Sequence, residues 1–128
     1  MKGNGLAKIS RKKFVTEWVK ALRSGKFRQT KGKLGTKTKC KNGQYGYCCL
    51  GVACEVGEKL GIKGAGFANK TNHLPHQYRD DMEPGEWFRK IMGDRDPQLT
   101  NEYTCAEAND FEGWKFSKIA KALEDKYL

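Results

Sequence analysis

The window Tyr47-Cys48-Cys49-Leu50-Gly51-Val52-Ala53-Cys54-Glu55-Val56-Gly57-Glu58-Lys59-Leu60 is the most apolar stretch of a chain that is otherwise polar and basic. At helical spacing, Cys49, Leu50, Ala53, Cys54, Val56, Gly57 and Leu60 form one wide stripe of mostly small side chains. Gly61 follows where a helix wants a left-handed C-terminal residue. Such a stripe predicts a buried helix over Cys49–Leu60 against which other elements pack closely. With 128 residues, 38% of them apolar, the chain can fill one core and has little room for a second. The expectation is a flexible basic arm over residues 1–9 and a single α+β domain over 10–128. In that domain a small antiparallel β-hairpin or ribbon packs with three to four helices around the central buried helix.

The flanking sequence fills in the other elements. Ser10 suits the N-cap of a helix over Arg11–Arg23, in which Phe14, Val15, Trp18, Val19 and Leu22 share one face and Ser24-Gly25 ends the run. Beyond a short strand near Phe27–Thr30, Lys37, Lys39 and Lys41 alternate with Thr36, Thr38 and Cys40, and Asn42-Gly43 is a strong two-residue hairpin signal. That register turns Thr38, Cys40, Tyr45 and Tyr47 inward and leaves a row of lysines in water. Pro75 and Pro84 each mark a helix start, giving a short helix near His76–Met82 and another over Gly85–Met92. Residues 94–113 read as loop with a strand around Leu99–Cys105. A last helix over Trp114–Lys126 places Phe116, Ile119, Ala120, Leu123 and Tyr127 on one side.

Charge is the most polarised property of the chain. Residues 1–41 carry 14 Lys and Arg against Glu17 alone, a net of +13, whereas residues 42–128 hold 11 against 14, a net of −3. An imbalance of this kind points to an anionic partner met by the N-terminal third. The residues expected to contact phosphates are Arg11, Lys12, Lys13, Arg28, Lys31, Lys33, Lys37, Lys39 and Lys41. Each phosphate neutralised releases counterions, so many modest contacts give salt-sensitive affinity without base readout. Tyr45 or Phe27, if turned outward, would stack on unpaired bases. Against this stands the ordinary use of lysines to protect an exposed strand.

Other chemistries have weaker support. Cys40, Cys48, Cys49, Cys54 and Cys105 are odd in number and three of them lie on or beside the apolar stripe, which suits reduced, packed thiols better than a disulfide framework. The set has no Cys-x-x-Cys pair for zinc, even with His73 and His76 added. Cys48 or Cys49 sits where strand passes into helix and is the one nucleophile worth considering, but only the two histidines could serve as an imidazole base. Asp80, Asp81, Glu83 and Glu86 read as carboxylates answering helix dipoles. Trp87, Phe88, Tyr103 and Trp114 are candidates for an exposed aromatic patch, with burial the better reading. The longest apolar run falls short of the roughly 18 residues of a membrane span, and the basic start leads into an amphipathic segment instead of a leader's apolar region. The expectation is a soluble, unexported protein.

Several pieces together carry a resemblance: Trp18-x-x-Ala21-Leu22-Arg23-Ser24-Gly25, Phe27-x-Gln29-x-x-Gly32-x-Leu34, Tyr47-Cys48-Cys49-Leu50-Gly51-Val52-x-Cys54, Leu74-Pro75, Asn109-Asp110 and Phe116-x-x-Ile119-Ala120-x-x-Leu123-Glu124. The chain resembles a widespread group of small tailed-bacteriophage proteins of unassigned function, and the Cys-Cys-Leu-Gly piece is the most specific part of the match. The resemblance implies a viral accessory protein working in a host bacterial cytoplasm, and it supplies no catalytic residue, metal or cofactor. The basic N-terminal third and the Lys-rich hairpin depart from that group's usual look. The combined expectation is a non-enzymatic host-takeover protein that binds nucleic acid or a nucleic-acid-containing host complex. The alternative is an anti-defence protein that occupies a host immune protein or sequesters a nucleotide signal, and behind it a cysteine-dependent enzyme.

Overall fold

Where apolar side chains recur at helical spacing over residues 11–23, 49–59 and 116–127, the backbone is helical and the stripe faces inward. A computed structural model describes residues 9–31, 46–65 and 84–128. Five helices lie within them: α1 Arg11–Arg23, α2 Cys49–Lys59, α3 Glu86–Met92, α4 Cys105–Asp110 and α5 Phe116–Tyr127. Two two-residue strands, β1 Arg28–Gln29 and β2 Gly46–Tyr47, complete the α+β architecture.

The ends of the long helices follow local chemistry. The Lys13 N–H donates to Ser10 Oγ at 3.0 Å, satisfying one of the orphan donors of the first turn of α1. At the end of α2 the Gly61 N–H donates to Glu58 O and the Ile62 N–H to Gly57 O. That paired closure requires the left-handed backbone of Gly61, whose φ is 79°.

The broadest helix contact is between α1 and α5, and α1 also packs on α2 and α3. The core is thus organised around α1 as much as around the expected α2. The physical reason is side-chain size. The stripe of α2 is small, whereas Phe14 and Trp18 on α1 meet Trp87 and Phe88 on α3 with ring centroids 5.6–5.9 Å apart. These rings meet edge to face, the favoured arrangement of aromatic quadrupoles. Trp87 is 8% exposed and Phe88 fully buried, so this pair belongs to the core and not to a surface patch.

Two expectations need correction. The strand pairing is parallel, with Arg28 opposite Gly46 and Gln29 opposite Tyr47, instead of an antiparallel ribbon. Parallel strands need a connection of a dozen or more residues, and the 16 residues between Gln29 and Gly46 are enough in number for one. The proposed hairpin turn at Asn42-Gly43 and its lysine row lie outside the described residues, as do the short helix near His76–Met82 and Tyr45. The strand around Leu99–Cys105 is reduced to one antiparallel bridge between Gln98 and Thr104. There Thr104 starts α4 through a capping box with Glu107, and this reciprocal pairing outcompetes an extended strand.

Candidate nucleic-acid interface

The polar centre of the molecule is Asn109, a fully buried side chain on α4. Its Oδ1 accepts from Gln29 Nε2 at 2.9 Å and from the Cys49 N–H at 3.1 Å. Its Nδ2 donates to Thr30 O and to Asp110 Oδ1, both at 2.8 Å. One amide therefore fastens the end of β1 and the first N–H of α2 to α4. Gln29 Nε2 donates again to Trp114 O at 2.7 Å, adding the loop between α4 and α5. Next to this hub the Tyr47 hydroxyl donates to Glu55 Oε2 at 2.7 Å, and Phe27 meets the Tyr47 ring edge-on at 5.3 Å. Phe27 is consequently part of the packing, which corrects its candidacy as an outward stacking ring.

Burial disfavours the thiolate form of the cysteines beside the hub. Burial pushes the Cys48 thiol far above its ordinary value, with the neighbouring Cys49 adding to the shift. Burial and then the Cys105 thiol push Cys49 up in the same way. Both side chains act structurally. Cys48 Sγ accepts from the Gly51 N–H as the cap of α2, and Cys49 Sγ donates to Cys105 O at 3.4 Å. Among the described residues, no three His, Cys, Asp or Glu side chains gather in a way that could hold a metal ion.

The expected phosphate-binding residues divide into two places. Arg11 lies at the far end of α5: its Nε donates to Ile91 O at 3.3 Å and its guanidinium stands 5.9 Å from the Tyr127 ring centroid. Lys12 beside it is exposed, and Lys13 pairs with Glu17 at 3.5 Å. Arg28 and Lys31 are exposed at the opposite end. There Lys31 Nζ lies 4.0 Å from the position a side chain on Gly113 would occupy, just before α5 begins. The length of a 12-residue helix, about 18 Å, separates the two groups. Lys33, Lys37, Lys39 and Lys41 lie outside the described residues, but the segment that carries them leaves from Lys31 and returns at Gly46. Both of its ends are thus fixed in the β1–β2 pair.

The end of the molecule near Lys31 also gathers residues that the charge count by itself did not single out. Lys118 Nζ stands 4.2 Å over the Trp114 ring, close enough for a cation–π contact, and Lys115 is exposed at the start of α5. Phe111 is 76% exposed. Glu112 in the same loop sits against Tyr103, where its charge raises the phenol's pKa. Tyr103 in turn meets Trp114 edge-on at 6.0 Å, so this expected patch is a half-buried pair. The signal for the missed lysines was in the sequence: Lys115 and Lys118 are three apart around the exposed start of an amphipathic helix.

A family model described as a domain of unknown function (DUF8296) matches residues 10–127. No curated protein and no solved structure matches the chain significantly.

Proposed function

The chain belongs to the DUF8296 family, and from that footing we propose that it is a nucleic-acid-binding accessory protein of a bacteriophage, acting in the host cytoplasm. The observation that supports this reading is that Lys31 and Lys118 lie at the α4–α5 loop beside exposed Lys115, with exposed Arg28 on β1 just before the segment bearing Lys33, Lys37, Lys39 and Lys41. Exposed cations spread over one end of a fold suit a phosphate backbone, which is recognised by many weak contacts. Arg11, Lys12 and Lys13, a helix length away, are available to a longer strand or to a second contact. The phage context rests on the Tyr47-Cys48-Cys49-Leu50-Gly51 resemblance.

Fluorescence anisotropy with labelled DNA and RNA at rising salt tests the proposal. About four phosphate contacts correspond to a log–log salt slope near −3, a loss of roughly 50-fold between about 50 and 200 mM salt. Lys31→Glu with Lys118→Glu should weaken binding severalfold and flatten the slope. Absence of binding to any nucleic acid at low salt would overturn the reading. Capture of a host protein that survives nuclease treatment would favour the anti-defence alternative.

A further inference from the structure

We infer that Cys49 and Cys105 are a redox pair: oxidation closes a disulfide that staples the start of α2 to the start of α4, and reduction reopens it. Each is the first residue of its helix, both are fully buried and free, and they stand 56 positions apart in the chain. The fold nevertheless brings them into contact, with Cys49 Sγ donating to Cys105 O at 3.4 Å. The side chains also meet thiol to thiol, the largest influence on Cys49 after its burial. Asn109 fixes the same junction without using sulfur, because its Oδ1 accepts from the Cys49 N–H while its own helix begins at Cys105. The other thiols on α2 are worse partners. Cys48 turns its sulfur to the Gly51 N–H, and Cys54 lies more than a turn further along the helix.

The chemistry balances with a peroxide as the oxidant. Hydrogen peroxide takes one thiol to a sulfenic acid and leaves as water. The neighbouring thiol then attacks that sulfur and expels a second water, so two S–H bonds are lost, one S–S bond forms and the peroxide gains the two electrons. Burial confines the first step to moments when the junction opens locally, which makes it slow. On reclosing, the oxidised sulfur faces its partner thiol, which makes the second step selective. In a reducing cytoplasm the pair rests as two thiols.

The test incubates the native full chain with hydrogen peroxide, alkylates the remaining thiols after unfolding, and maps tryptic peptides without reduction. Cys48, Cys49 and Cys54 share one such peptide, so fragmentation assigns the bond to Cys105. The cross-link should be lost in Cys49→Ala and retained in Cys48→Ala. The bonded form should melt about 10 °C above the reduced one, since the bond closes a long loop in the unfolded chain, and dithiothreitol should restore the starting midpoint. A bond from Cys105 to Cys48 or Cys54 would overturn the inference, as would a bonded form that melts no higher than the reduced one. So would native protein that keeps both thiols free, or carries them only as sulfinic or sulfonic acids, after an exposure that oxidises the urea-unfolded chain.

Discussion

Replacing Asn109 by Leu tests the account of how the fold holds β1 and α2 to α4. The side chains are close in volume, so the change removes polar partners with little change in packing. The Cys49 N–H and the Thr30 carbonyl lose the partners they have at 3.1 and 2.8 Å, whereas Gln29 keeps Trp114 O. Each buried backbone group left unpaired costs about 1–3 kcal/mol, and the gain from burying Leu offsets part of that. The expected loss is about 3–4 kcal/mol, a large share of the roughly 5–15 kcal/mol that holds a domain together. Urea unfolding followed by tryptophan fluorescence reads it directly as a shift of midpoint at constant slope. Asn109→Asp sharpens the test. It keeps an acceptor for the Cys49 N–H but loses the donor to Thr30 O and sets a buried anion beside Asp110. Burial would raise the folded pKa of that new carboxyl above its unfolded value. Stability is then greatest at low pH and lost as pH rises through the folded pKa, so the Asp variant should approach wild type in acid and fall away from it at neutrality. A cost below about 1 kcal/mol for Asn109→Leu, or an Asp variant equally stable at pH 5 and pH 8, would refute the view that this amide is the central fastening.

Three further outcomes follow from the same geometry. Gly57→Ala places a methyl group 2.8 Å from Ala65 Cβ and from the Trp87 ring, so it should cost about 1–3 kcal/mol in chemical unfolding, and a neutral result would mean that α2 and α3 slide apart freely. Cys48, Cys49 and Cys105 should resist thiol reagents in the native protein and label only as it opens, whereas native labelling of Cys48 at the rate of a model thiol, read by peptide mass mapping, would contradict its burial. The Arg23 guanidinium hydrogen-bonds Glu124 through both nitrogens at 3.2 Å and holds that carboxyl below its ordinary range. A depressed folded pKa gives stability that is present above the unfolded value, about pH 4.3, and is lost as pH falls. The difference between wild type and Glu124→Gln in midpoint should therefore be small, because the pair is exposed, and should vanish on acidification; a difference that grows in acid would reverse the assignment.

How much of this was legible in the sequence differs by element for physical reasons. Helices α1, α2, α3 and α5 were readable within a residue or two because each carries an apolar stripe together with a strong stop or start, such as Ser10, Gly61 or Gly93. Helix α4 was not read, since six residues are too few to display a period, although Thr104-x-x-Glu107 spelled out its capping box. The parallel direction of β1 and β2 could not be read from alternation, because alternation sets which face a residue takes and says nothing of strand direction. The site was legible only as charge. Summing lysines along the first third joined Arg11–Lys13 to Arg28 and Lys31, which the fold sets at opposite ends of α5. The contribution of Lys115 and Lys118 was hidden because they belong to a stretch of chain that is acidic overall.

The strand pair itself bears on the proposed function. Two residues on each side make too few ladder bonds to be stable alone, so the β1–β2 pair contributes little to holding the fold together. It is instead held by the fold: by Asn109 on Gln29 and Thr30, by Glu55 on Tyr47, and by Phe27 against Tyr47. The consequence is that the two described residues flanking a segment with four lysines, Lys31 and Gly46, are held at the β1–β2 pair. The loop-closure cost of bringing those two ends together is then met in folding, before any ligand arrives. Cutting those fastenings should therefore weaken ligand binding more than the loss of any single lysine. Gln29→Leu is the mild version of that cut, because its side chain spans Asn109 and Trp114 without being a cation. If nucleic-acid affinity is unchanged in Gln29→Leu while Lys31→Glu with Lys118→Glu lowers it, the segment's attachment is irrelevant to binding and the lysines act as independent surface charges.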